Sequence, residues 1–149
     1  MDSKATQALL NELVQTLKDG EVGYATALTD VEDQDLKEVF KKYAAQRDGY
    51  LTEIEDQMHQ LNLKAEEDTS ITGTVHRAFI NIKAAITSKD RESILNECER
   101  GEDYAVKAYQ TALKAENLPG QLKSIIEKQY QGVREAHDTI RSLRDASKK

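Results

Sequence analysis

The side chains of this chain that could do chemistry are carboxylates and an imidazole set into helical patterns. Glu21, Glu102 and His137 fall on apolar stripes that recur every three or four residues, and Glu99 lies beside one. Carboxylate oxygens completed by imidazole suit iron or manganese, so a metal held by Glu21, Glu102 and His137, with Glu99 close by, is one expectation. Arg47 also faces inward and supports the other. Buried ions must be paired, and two glutamates would balance one guanidinium and one imidazolium. Hydroxyls from Tyr24, Tyr43, Tyr50, Tyr109 and Tyr130 could fill the remaining lone pairs. That second reading is a buried polar network without a cofactor, and it is the preferred one.

The elements that position these residues are read from the same periodicity. A first helix is expected from Lys4 to Leu28, on Leu10, Leu13, Leu17, Gly20, Tyr24 and Ala27. A second, from Glu32 to Leu61, carries Leu36, Phe40, Tyr43, Tyr50, Ile54, Met58 and Leu61. Leu63 to Thr74 is polar and reads as a linker. The apolar phase of Val75, Phe79, Ile82 and Ile86 lies about half a turn from that of Leu95, Glu102, Val106, Tyr109 and Leu113. The segment therefore splits at Thr87-Ser88-Lys89-Asp90, into a short helix ending at Ile86 and a long one from Asp90 to Ala115. Asn117-Leu118-Pro119-Gly120 turns the chain into a last helix on Leu122, Ile126, Tyr130, Val133, His137 and Ile140. Counted back from that turn, Glu102 should lie level with Val133, and Cys98 with His137. Glu21, Glu102, Cys98 and His137 would then share a layer, with Arg47 roughly two turns away and reaching only part of the way.

The order is long, long, linker with a short helix, long, long. It predicts an all-α fold, a ferritin-like four-helix bundle of two antiparallel hairpins joined by a long crossover, filling residues 1–149 as one domain. Di-iron bundles of that type place one Glu on each of two helices and Glu-x-x-His on each of the other two. The spacings of Glu21 to Glu53 and Glu102 to Glu135 nearly match, and each later Glu opens a Glu-x-x-Asp, ending at Asp56 and Asp138. Helical phase rejects the second member of each pair, because Glu53, Asp56, Glu135 and Asp138 fall on the wet side. No Glu-x-x-His occurs: Arg134 stands three before His137, and Asp56 three before His59. A di-iron oxidase is not expected.

Several strings are similar to those of an uncharacterised bacterial family of ferritin-like four-helix-bundle proteins, a domain of unknown function. They are Asp19-Gly20-Glu21-Val22-Gly23-Tyr24, Ala45-Gln46-Arg47 with Tyr50 and Glu53, His76-Arg77, Glu99-Arg100-Gly101-Glu102-Asp103 with Tyr109, and His137-Asp138. The resemblance implies the bundle and no established activity. Gly20-Glu21 and Gly101-Glu102 also sit in corresponding helices of the two hairpins, as an internal duplication would leave them.

Composition narrows the function classes. A net charge of −6 opposes general binding to nucleic acid or anionic membranes, and with two Phe and no Trp few base-stacking platforms exist. One cysteine, Cys98, allows no intrachain disulfide, and with three histidines it cannot form a Cys/His zinc module. No apolar run approaches the roughly 18 residues of a membrane span, and the N-terminus reads as no signal peptide, so a cytoplasmic protein is expected. Phosphate loops and nucleophile elbows are absent from the sequence. The expected function is a non-catalytic binding or structural protein, stress-associated by analogy with its fold relatives. A metal-binding carboxylate protein and a helical partner-binding module are the alternatives. A homo-oligomer is expected, since the short helix has its own apolar face, which must cover the bundle or meet another subunit.

Overall fold

The computed structural model describes residues 3–63 and 81–147. Among them are five helices and no strand: α1 (Ser3–Asp30), α2 (Gln34–Gln60), α3 (Ile82–Thr87), α4 (Arg91–Leu113) and α5 (Gly120–Ser147). Each long helix buries one stripe. On α4 the stripe is Leu95, Cys98, Glu102, Ala105, Tyr109 and Ala112, at steps of three and four, with a carboxylate in the middle.

α1 packs on α2 and α4 on α5, and the two hairpins meet through α1 with α4 and α2 with α5. The core divides between the two ends of the bundle. One end joins Tyr24 and Ala27 of α1 to Leu36 and Phe40 of α2, Leu95 of α4 and Ile140 of α5. The other joins Leu10 and Leu13, Ile54 and Met58, Tyr109 and Ala112, and Leu122 and Ile126. Residue numbers rise from the second end to the first along α1 and α5, and fall along α2 and α4. α2 therefore finishes at the end opposite to the one where α4 begins.

The expected break near Ser88 is present. α3 stops at Thr87, and the Ser88 hydroxyl donates to the Ala85 carbonyl at 2.6 Å. Asp90 then caps α4, accepting from the Glu92 amide at 3.3 Å and the Ser93 hydroxyl at 2.7 Å. Buried Glu97 of α4 accepts from the Asn81 amide at 2.8 Å, which holds the start of α3 against α4. Ile82 and Ile86 cover the bundle's own core between α1 and α4. The linker expected beyond Leu63, the expected start of the short helix with Val75 and Phe79, and His76-Arg77 lie outside the described residues.

Arg91, the first residue of α4, ties three elements together at that end. It donates to Asp33 at 2.7 Å, to Asp35 at 3.0 and 2.7 Å, and to the Ser147 hydroxyl at 3.0 Å. Asp33, the N-cap residue of α2, makes no side-chain cap bond and holds Arg91 instead.

Lys89 between α3 and α4 adopts φ 58°, the left-handed conformation that suits glycine and costs an L side chain about 1–2 kcal/mol. Its ion pair with Glu32, at 3.7 Å, is between exposed side chains and contributes little. Lys89→Gly should therefore stabilise the fold by about 0.5–1 kcal/mol, read as a raised urea midpoint at unchanged slope.

Candidate functional site

Midway along the bundle, three helices send polar groups to one point. Glu102 of α4 is 0% exposed and Arg47 of α2 is 1% exposed. One guanidinium nitrogen of Arg47, Nη2, donates to both carboxylate oxygens, at 2.6 Å to Oε1 and 2.8 Å to Oε2. The Tyr24 hydroxyl of α1 donates to the same Oε2. Arg47 also lies 5.8 Å from the centre of the Tyr24 ring, within cation–π range, and its Nε donates to the Gln46 side chain at 3.1 Å.

The helix surfaces make room for this cluster. Gly20 of α1 faces the Arg47 stem: a Cβ there would stand 3.2 Å from Nη1 and 3.4 Å from Cγ. Glycine at that point lets a long side chain cross from α2 toward α4. The expectation that Arg47 would fall short of the Glu102 layer is thereby corrected. Arg47 does reach Glu102, and Gly20 of α1 leaves its path open.

A second buried network lies one to two turns away on α4. The Tyr109 hydroxyl donates to Gln129 Oε1 at 2.6 Å, and the Gln129 amide donates to the Tyr50 carbonyl at 3.2 Å and to Glu53 at 3.0 Å. Gln129 is wholly buried, so α5 is tied to α2 and α4 through one amide. Gly132 sits beside it because a Cβ there would overlap the Tyr50 hydroxyl.

The four candidate metal ligands take separate partners. Glu102 is held by Arg47 and Tyr24. Glu21 is half-buried on the α1–α2 edge beside Asp48, off the stripe it was expected to share. Glu99 is bound by Arg144, with Arg141 at 3.9 Å. His137 lies on the α4–α5 edge, its Nε2 2.7 Å from Asp103 and its Nδ1 3.2 Å from Asp138. Only Glu99 and His137 approach one another, at 3.9 Å. Among the described residues, no group of three or more His, Cys, Asp or Glu side chains is placed to hold a metal ion. The donor set around Glu102, a guanidinium and a phenol, supplies positive charge and a proton where a cation would need oxygen or nitrogen lone pairs.

Phase accounts for the displaced histidine. The buried stripe of α5 is Leu122, Ile126, Gln129, Val133, Ala136 and Ile140. Gln129 and Ala136 replace the expected Tyr130 and His137, each one residue along and so about 100° around the helix. Glu53, Asp56, Glu135, Asp138 and His59 are exposed, as their phase predicts.

The buried ionisable groups are held in fixed states. Burial would lower the Arg47 pKa, but the Glu102 charge and its hydrogen bonds outweigh that and raise it. Burial and the adjacent Glu102 charge push the Tyr24 hydroxyl well above the usual phenol range. The Cys98 thiol is likewise pushed well up, by burial and then by Glu102 and Glu97, so it stays a neutral packing group. The cluster is a guanidinium–carboxylate pair closed by a neutral phenol, with both ions buried.

These features define the class: an all-α helical bundle organised around a buried arginine–glutamate pair. The chain belongs to the family described as Domain of unknown function (DUF2383), whose model matches residues 5–115. The match takes in Tyr24, Arg47 and Glu102 and stops before α5, so His137-Asp138 lies beyond it. No curated protein matches the chain.

Two expectations follow. Arg47→Met would leave Glu102 buried without its cation and should cost about 3–5 kcal/mol, whereas Arg47→Met with Glu102→Met should cost much less than the sum of the singles. Chemical denaturation of the four proteins measures the coupling. Glu21 is raised above its ordinary value of 4.5 by burial, then by the Asp48 charge and hydrogen bond. The folded state thus holds that proton more tightly than the unfolded chain. Its stabilising contribution is full below about 4.5 and is lost as pH rises through the raised value. Glu21→Gln should therefore melt higher than wild type at neutral pH, with the gap closing as pH falls to about 4.5.

Proposed function

We propose that the protein is a ferritin-like four-helix bundle whose inner polar layer is closed by its own guanidinium, and that it works as a metal-independent, non-catalytic structural or binding protein. The observation that carries this reading is Arg47 Nη2 on both oxygens of Glu102, with Tyr24 on one of them. A cation at Glu102 would have to displace an arginine that is already paired and wholly desolvated. The two hairpins, with α2 ending at the end of the bundle opposite to the start of α4, support the ferritin-like comparison. A role in stress physiology and a cytoplasmic location are the corresponding working assignments. They rest on analogy with the fold, and no described helix is long and apolar enough to cross a membrane.

One observation favours the rival, a carboxylate protein binding iron or manganese. Glu99 and His137 do approach each other, with Asp103 on the same imidazole. Both arginines near Glu99 oppose it, since a cation would meet their charge.

Thermal melts of wild type and Glu102→Gln, each treated with chelator and then supplied with anaerobic Fe(II) or with Mn(II), separate the readings. The substitution keeps volume and removes the charge facing Arg47, so it should destabilise by about 2–4 kcal/mol with or without metal. Wild type that gains stability from metal would replace the proposal with the metal reading, at Glu102 if the mutant does not respond and at Glu99 and His137 if it does.

A further inference from the structure

We draw no further inference here: the strongest candidate, the side-chain cluster of His137 with Asp103, Asp138 and Glu99 on the α4–α5 edge, belongs to the site already described, with Arg144 bound to the same Glu99.

Discussion

A guanidinium and a carboxylate removed from water at the centre of a helical bundle constrain everything around them. Taking either ion out of solvent costs several kcal/mol, and the loss is recovered only when geometry is close and the remaining donors and acceptors are satisfied. Arg47 and Glu102 meet that condition through a bifurcated contact, the Tyr24 hydroxyl and the Gln46 side chain. The glycine at position 20 follows from the same demand, because the arginine stem needs the space a side chain would fill. α2 and α4 stand at opposite corners of the bundle, so the pair spans the core rather than lining a seam.

The pair also limits how the helices can slide. Leu36, Phe40, Ile54 and Met58 of α2 are apolar and exchangeable in kind, and a one-turn slip would still bury apolar groups. The same slip would strand Arg47 and Glu102 in the core without partners. The Tyr109–Gln129 link adds a second fixed point, joining α4 to α5, and Gln129 joins α5 to α2. Outside the core, ion pairs such as those of Arg91 and Glu99 order the ends and edges where water still screens them.

The same arrangement bears on chemistry. A carboxylate in the middle of a four-helix bundle is where metal centres are built in folds of this shape. Here Glu102 is met by the Arg47 guanidinium and the Tyr24 hydroxyl. The pKa directions agree: Arg47 stays charged, while Tyr24 and Cys98 stay protonated. None of the three is poised to exchange a proton near neutral pH.

Much of this was legible in the residue order. Steps of three and four placed the four long helices, and Ser88 with Asp90 marked the break before α4, because capping groups act within a few residues of themselves. Glu102 and Arg47 were readable as inward-facing for the same local reason. Which inward cation, Arg47 or His137, pairs with Glu102 was not readable, since the answer joins residues 55 positions apart and depends on how the arginine passes a glycine on a third helix. Periodicity also misassigned α5, where Tyr130 and His137 are more apolar or more chemically conspicuous than the Gln129 and Ala136 that are actually buried. A shift of one residue turns a helix by about 100°, and apolar pattern alone does not resolve that turn when neighbouring residues are similar in character. The sequence by itself determined which segments are helical and roughly which face of each is dry. The tertiary structure decided which inward charges meet, because that depends on relative height and crossing of helices brought together from distant parts of the chain.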